Sequence, residues 1–416
     1  MMRTRKILLI VLLSGTVIFS LFSQNGRHEK SGFISVEGQN LVTPEGEVFL
    51  MKGINLGNWL NPEGYMFLFQ DVNSYRLIDQ ALKEMVGPDF VNQFWRKFQE
   101  NYITQDDIRY IRQTGMNSIR VPFHYKLFTY EDFMGNNNPN RGFELLDNVI
   151  RWCKEEGVYV VLDMHAAPGG QTGDNIDDSY GYPWLFESPK SQELFCSIWK
   201  RIAKHYADEP TVLGYDLLNE PIAHFFDNKD ELNNYLEPLY MKVTEAIREV
   251  DKNHIVIWGG AQWNTNFSVF QNPKFDDKMM YECHTYWTDT TQAAIQHFLD
   301  FREKTNLPMY MGETGENTDE WIEGFRRLLE RNRMGWHFWP YKKMAKSSCM
   351  VALKEPENWS VIVEYTKKDR SSFTKIRENR PNQDTVRKAL DELIENCKFT
   401  RCSKNEGYIK ALGMKP

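Results

Sequence analysis

The chain has 416 residues and a formal net charge of −7, with 41% hydrophobic, 14% aromatic and 26% charged side chains. A chain this long buries a full core, and its 12 Trp, 19 Tyr and 26 Phe exclude low-complexity disorder. The acidic balance, without a long Lys/Arg run, argues against a nucleic-acid partner, and a single long apolar run argues against a polytopic membrane protein.

That apolar run opens the chain. MMRTRKILLIVLLSGTVIFSLFSQ places Arg3, Arg5 and Lys6 before an apolar stretch from Ile7 to Phe22 and the small Ser23, the pattern of a secretory signal. It predicts a signal segment over 1–23, a mature chain over 24–416, and a secreted location, extracellular, periplasmic or at the cell surface. The competing reading is an uncleaved anchor, since Leu21 fits the small-x-small cleavage rule poorly. The six cysteines, Cys153, Cys196, Cys283, Cys349, Cys397 and Cys402, are too dilute for a disulfide scaffold and lack zinc spacing. Only Cys397 and Cys402 are close enough for a local bridge, with free buried thiols the equal alternative.

FISVEGQNLVTPEGEVFL reads as a β-hairpin turning at Pro44-Glu45-Gly46 and closing the floor of the domain. Strand one is expected in VFLMKGINLG (48–57), followed by a helical excursion over 65–103. TQDDIRYIRQTG opens with a Thr104-x-x-Asp107 near-capping box and closes on Gly115. Strands two to eight are expected in NSIRVPF (117–123), VYVVLDMH (158–165), VLGYDLLNE (212–220), HIVIWGG (254–260), KMMYECHTYW (278–287), LPMYMGE (307–313) and GWHFWPY (335–341). Amphipathic helical patterns such as ELLDNVIRWCKEEG and WIEGFRRLLERN fall between them, and DTVRKALDELIENC follows in the charged tail. The alternation predicts one α/β domain, a (β/α)8 TIM barrel with an N-terminal β-hairpin and a helical insertion after strand one. A doubly wound sheet would also alternate, but no GxGxxG or P-loop follows any strand.

The active site of such a barrel lies at the C-terminal strand ends. Those ends carry Asn55 and Asn58, Arg120, His165, Asn219 with Glu220, Gln262, His284 with Tyr286, Glu313 and Trp339. One buried Asn or His is more often satisfied by backbone than catalytic; polar or aromatic groups at almost every end of one face point to a site. Glu220 and Glu313 close strands four and seven, which face each other across the barrel mouth. Paired carboxylates suit glycoside hydrolysis, one protonating the leaving oxygen and one acting at the anomeric carbon. Glu282 and Glu316 are the rivals of Glu313: Glu282 is internal to strand six and reads as directed away from the site, and Glu316 lies in the loop beyond. Trp59, Trp184, Trp263, Trp287 and Trp339 offer flat faces for pyranose rings, with core packing the alternative for each. The acidic loop DNIDDS (174–179) reads as solvated, with a structural calcium the weaker alternative.

LLNEP (217–221), NSIRVPF (117–123), LDMH (162–165), HTY (284–286) and GETGE (312–316), in this order, resemble glycoside hydrolase family 5, the cellulase family, over roughly residues 33–366. LDMHAAPGGQTGDN resembles the strand-three loop of its exo-β-1,3-glucanase-like members, and FWPYKKM the last strand of many bacterial ones. The resemblance implies Glu220 as acid/base and Glu313 as the nucleophile of a glycosyl-enzyme intermediate. It implies Asn219 as the donor to the sugar 2-hydroxyl, Arg120 and Tyr286 as donors to the nucleophile, and His284 beside the acid/base. His165 and Trp339 would wall the subsite of the cleaved sugar, and the strand-end positions of Asn55 and Trp287 make them further substrate-binding candidates. Retention is implied, with carboxyl groups about 5–5.5 Å apart, on a β-linked polysaccharide or oligosaccharide, β-glucan first and β-mannan or another β-glycoside after it. Neither metal nor cofactor is implied, and a monomer is the default. Transglycosylation would use the same residues. A non-catalytic carbohydrate-binding barrel is the reading from another class, opposed by the intact carboxylate pair. The excursion, rich in aromatics (Tyr65, Phe67, Phe69), reads either as a wall that closes one end of the cleft and favours exo action or as packing.

Overall fold

Strand β1 (Ser35–Glu37) turns through Gly38 and Gln39 into β2 (Asn40–Val42), and β2 turns again into β3 (Val48–Phe49), giving a three-stranded antiparallel sheet. The computed structural model describes residues 32–344 and 347–416, so the N-terminal signal or anchor run lies outside the described residues. The expected hairpin at Pro44–Gly46 is the β2–β3 turn, where the Gly46 amide donates to the Thr43 carbonyl at 2.9 Å. The extra strand comes from Gly38, whose φ of 58° suits a two-residue connection that a side chain would strain.

Eight parallel strands then close a barrel: β4 (Lys52–Asn55), β5 (Ser118–His124), β6 (Tyr159–Ala166), β7 (Val212–Asp216), β8 (Ile255–Gly259), β9 (Met279–His284), β10 (Met309–Glu313) and β11 (Trp336–Phe338), with β11 pairing both β10 and β4. Each of the eight apolar runs supplies one strand. Several runs outlast their strands: β7 stops at Asp216, β9 at His284, and β11 at Phe338, just before Trp339-Pro340, where proline has no amide for the ladder. The lower barrel is apolar. Ile34 and Leu41 of the N-terminal sheet region pack with Met51, Val161, Leu213, Ile255, Ile257, Met280 and Tyr310, so the sheet plugs the floor. Above that layer the interior turns polar, which places the chemistry at the C-terminal rim.

The excursion after β4 holds α1 (Tyr75–Val86) and α2 (Pro88–Tyr102), and α3 (Gln105–Thr114) follows. Thr104 and Asp107 form a reciprocal capping box, and Gly115 ends α3 at φ 103°. The predicted tail helix spans Gln383–Cys397. A small sheet that sequence periodicity did not reveal joins β12 (Lys342–Lys343), β13 (Val351–Ala352) and β14 (Ser403–Lys404); two-residue strands carry no period. Its anchor is Lys342, fully buried, whose Nζ lies 2.6 Å from Asp107 Oδ1 and donates to the carbonyls of Tyr102 (2.6 Å) and Cys397 (3.0 Å). Cys397 and Cys402 are free thiols, the second of the two readings of that pair. Among the described residues no helix is long and apolar enough to cross a membrane.

Asp107 therefore caps α3 and neutralises Lys342 at once. Asp107→Ala leaves a buried ammonium without its counter-charge, a loss of about 3–5 kcal/mol. Urea unfolding of wild type and variant should show a lower midpoint of that size; an unchanged midpoint would mean that Lys342 finds another anion or water.

Candidate active site

A cleft of about 680 Å³ opens at the C-terminal rim, lined by Glu63, Tyr65, His165, Glu220, Trp263, His284, Tyr286, Trp287, Glu313, Glu316 and Trp339, among others. Its centre is organised by Arg120 on β5, fully buried beneath the rim. Arg120 Nη1 meets Glu313 Oε1 at 2.5 Å and donates to Asn55 Oδ1 at 3.1 Å. Nη2 donates to Asn219 Oδ1 at 2.9 Å, and Nε to Asp216 Oδ2 at 2.7 Å. Asp163 and Glu282 lie 3.2 and 3.6 Å from Nη2.

Glu313 ends β10 with 4% of its surface exposed. Its second oxygen accepts from the Tyr286 hydroxyl at 3.0 Å. Burial, and then the Glu313 and Glu220 carboxylates, push the Tyr286 hydroxyl well above its ordinary range, so it stays a donor. Glu220 stands in the left-handed region at φ 44°, beyond the end of β7, and its Oε1 meets His284 Nδ1 at 2.9 Å. Gln171 and Thr172 fix this strained turn by donating to the carbonyls of Asn219 and Glu220 at 2.8 and 2.7 Å. Glu220, His284 and Glu313 each present a donor atom within 4.8 Å of the others', so the two carboxylates approach within that distance.

His165 ends β6, bonded through Nδ1 to Asp163 at 2.7 Å, and its ring lies parallel to Trp339 at 5.5 Å and 6°. Burial works against its charge, but Asp163 and Glu313 outweigh burial and raise its pKa. The Trp339 indole N–H donates to the Tyr65 hydroxyl at 2.6 Å, and that hydroxyl donates to Glu316 at 3.2 Å. Glu316 in turn holds Lys343 at 2.8 Å. Trp287, 77% exposed, stands at the cleft mouth.

Of the ten residues singled out from sequence, Glu220, Glu313, His165, His284, Tyr286, Trp339 and Trp287 line the cleft. Arg120, Asn219 and Asn55 do not, and lie fully buried behind it. Asn55 is corrected from substrate contact to scaffold: its amide donates to the carbonyls of Gly312 (3.0 Å), His337 (3.3 Å) and Phe338 (3.2 Å), which leaves only its oxygen, turned toward Arg120. Gln262 at strand five faces Asn233, not the cleft. Glu282, read from sequence as pointing away, is on the inner face beside His284; residues two apart in a strand share a face. Asp177 in the DNIDDS loop accepts backbone amides of Thr172, Gly173 and Ser179 at 2.7, 2.8 and 2.9 Å, a turn-forming role.

Sequence reasoning missed Glu63 altogether and met Tyr65 only as an aromatic of the excursion. Both lie just beyond β4, in the LNPEGY segment, where an acid among turn residues carries no periodic signal. Two clusters have metal-like spacing, Asp163–His165–Glu313 and Glu220–His284–Glu313. Their shared member, Glu313, already accepts from Arg120 and Tyr286, and the guanidinium's charge opposes a second cation.

A family model described as cellulase (glycosyl hydrolase family 5) matches residues 80–345. A β-xylosidase of Phanerodontia chrysosporium is 29% identical over 350 residues, spanning 74% of this chain and 71% of that protein. Endoglucanase C of Acetivibrio thermocellus is 26% identical over 312 residues, spanning 60% of this chain and 87% of that protein. Endoglucanase Cel5A of Thermotoga maritima shares the fold, at a TM-score of 0.52, 19% identity and coverage of 87% of this chain and 96% of that one.

Glu63 gives the site a measurable pH signature. Burial, partly offset by His165 and reinforced by Glu313, Glu220 and Glu316, pushes its carboxyl from 4.5 up to about 8. The folded chain thus holds a proton that the unfolded chain releases near pH 4.5, so stability contributed by the neutral acid is complete below that value and is lost as pH rises to about 8. Glu63→Gln, a neutral isostere, should be relatively more stable at pH 8.5 than at pH 5 in thermal melts against wild type; parallel losses with pH would mean Glu63 ionises freely.

Proposed function

The chain belongs to glycosyl hydrolase family 5 and is a glycan-degrading hydrolase, and from that premise we propose that it is an exported, retaining β-glycosidase that uses Glu313 as nucleophile and Glu220 as acid/base. The observation that carries the mechanism is the carboxylate pair: oxygens of Glu220 and Glu313 come within 4.8 Å of each other. Retaining enzymes keep their carboxyl groups about 5–5.5 Å apart, and inverting ones leave room for a water at about 6.5–9.5 Å.

The surroundings divide the roles. Glu313 receives the Arg120 guanidinium on one oxygen and the Tyr286 hydroxyl on the other, which orient it for attack on the anomeric carbon. Glu220 has His284 as its polar partner and otherwise faces the cleft, where a leaving oxygen would sit. In the first step Glu220 gives its proton to that oxygen as Glu313 forms the ester. In the second, the Glu220 carboxylate takes a proton from water, which attacks the same carbon and frees Glu313. The stacked Trp339 and His165 rings offer one wall for the reacting sugar, with Asn219 behind them as the group expected to address its 2-hydroxyl.

The substrate class proposed is a β-linked glucan or a short β-glucoside. Of the relatives' names, β-xylosidase points to a β-linked sugar and endoglucanase to a glucan. Glu63, Tyr65 and Glu316 line the cleft, and Tyr65 is bonded to both Trp339 and Glu316; a wall at this point of the cleft would favour cleavage at or near chain ends. The basic-then-apolar run at 3–22 supports export, and the chain is proposed to act as a monomer.

Incubation of the chain from residue 24 with β-glucans, mannan, xylan and aryl β-glycosides, read by mass spectrometry and by NMR of the first-formed anomer, tests this. Cleavage with a β-anomeric product is expected; an α-anomer would sink retention, and no cleavage across the panel would favour a binding barrel. Glu313→Ala should lose about 10⁴-fold or more in kcat. Glu220→Ala should lose far more on poor leaving groups than on activated aryl glycosides, and equal losses on both would remove it from the acid role.

A further inference from the structure

Glu282 has no part in the chemistry assigned above, yet it is fully buried on β9 with its side chain on the same inner face as His284. Its Oε1 lies 3.5 Å from His284 Nε2, while Nδ1 of the same ring meets Glu220 Oε1 at 2.9 Å. The imidazole thus lies between two carboxylates, one in the cleft and one in the barrel interior, with the Asn264 amide nitrogen also 3.3 Å from Nε2. Glu282 is itself fixed by Asn264, which donates to Oε1 at 2.6 Å, and by the Tyr310 hydroxyl, which donates to Oε2 at 3.0 Å.

Two glycines make room for this arrangement. A Cβ on Gly312 of β10 would come within 2.3 Å of Glu282 Oε2 and 3.1 Å of His284 Nε2. A Cβ on Gly259 of β8 would come within 2.2 Å of Asn264 Oδ1. The strands on either side of β9 are therefore pared back around the Glu282–His284–Asn264 cluster.

We propose that Glu282 is a positioning residue that holds His284 as a doubly protonated imidazolium, so that its Nδ1–H stays aimed at Glu220 through both steps of the reaction. The inference rests on Glu220 being the acid/base. A neutral imidazole has a single N–H and can carry it on either nitrogen; a carboxylate at each nitrogen keeps both protonated. The charged groups facing the ring are Glu220 beyond β7, Glu313 on β10 with Oε2 3.9 Å from Nδ1, and Glu282 on its own strand. Asp216 on β7 has its carboxyl pushed well above the usual carboxylate range, by burial first and then by the Glu282 charge. Arg120 on β5 is the opposing cation. Burial works against the charge on His284, and the three carboxylates outweigh it.

The arrangement matters most at the intermediate. Once Glu313 is esterified it carries no charge, and Glu282 remains as the fixed anion that keeps the proton on His284. Glu220, by then a carboxylate, still receives Nδ1–H while it takes the proton from water.

Long-range ¹H–¹⁵N spectra of the histidine-labelled full chain, with the His284 signals identified by their loss in His284→Asn, read this directly. Both ring nitrogens of His284 should stay protonated at pH 7. In Glu282→Gln the ring should lose its proton at least about one unit lower, and kcat/KM should gain a new inflection in that range. In a His284→Asn background, Glu282→Gln should change kcat by no more than about twofold. A neutral His284 at pH 7 in the wild-type chain overturns the proposal without needing a variant. So does an unshifted His284 titration in Glu282→Gln, or a further large loss in the His284→Asn background, which would mark a purely structural role. Failure of the leaving-group test on Glu220→Ala would sink the acid/base assignment alone, because the His284 titration is read without turnover.

Discussion

One buried guanidinium sets the terms for the rest of the barrel interior. Arg120 stands among Asp163, Asp216, Glu282 and Glu313 with no exposed surface. Four carboxylates around one cation would be ruinous if all were ionised, because each buried charge costs several kcal/mol unless compensated. Burial and the neighbouring Glu282 push the Asp216 carboxyl well above the usual carboxylate range, and the acids beside His165 and His284 raise the pKa of both imidazoles. The excess of acids beneath the cleft thus acts on the imidazoles at the rim, where Glu220 and Glu313 stand.

That network also explains why so much of the centre was legible in the sequence. Parallel strands buried on both faces read as continuous apolar runs, so eight strands could be located without their partners. In a closed parallel barrel all C-terminal ends share one rim, so residues 193 positions apart, Arg120 and Glu313, could be placed together before any contact was known. The logic fails where a polar strand-end residue turns toward the protein. Asn55 has the right type and position, yet its amide is consumed by three carbonyls of β10, β11 and their ends. It fails again at Glu282, where parity within β9 was the available signal and was misread. The turn residue Glu63 and the two-residue strands β12 to β14 belong to the remainder: a single acid in a loop, or a pair of residues, contains no period from which to infer a direction.

The excursion after strand one packs the barrel at most of its residues and reaches the cleft at its start. Phe94, Trp95, Phe98 and Tyr102 of α2 are buried against one another and against Phe67, an aromatic cluster that packs the helices onto the barrel. The residues that lead into it behave otherwise. Glu63 and Tyr65 line the cleft, and Tyr65 receives the Trp339 indole N–H while donating to Glu316. The packed helices therefore hold the wall in place, and the wall holds the tryptophan on which a sugar is proposed to rest.

This coupling separates what is fixed in the cleft from what varies. The Glu220–His284–Glu313 centre hangs on barrel strands, whose positions the hydrogen-bonded ladder dictates. The wall made by Glu63, Tyr65, Glu316 and Lys343 comes from the segments after β4, β10 and β11, held by side-chain bonds: Glu316 joins Lys343 to Tyr65, and Tyr65 joins both to Trp339. Replacing any one of these alters the lining of the cleft beside Trp339, and Glu63 also acts on the carboxylate pair through its charge. The proposed chemistry thus hangs on strand ends, whose place the barrel dictates, while the cleft wall lies with loop side chains that no strand pattern constrains.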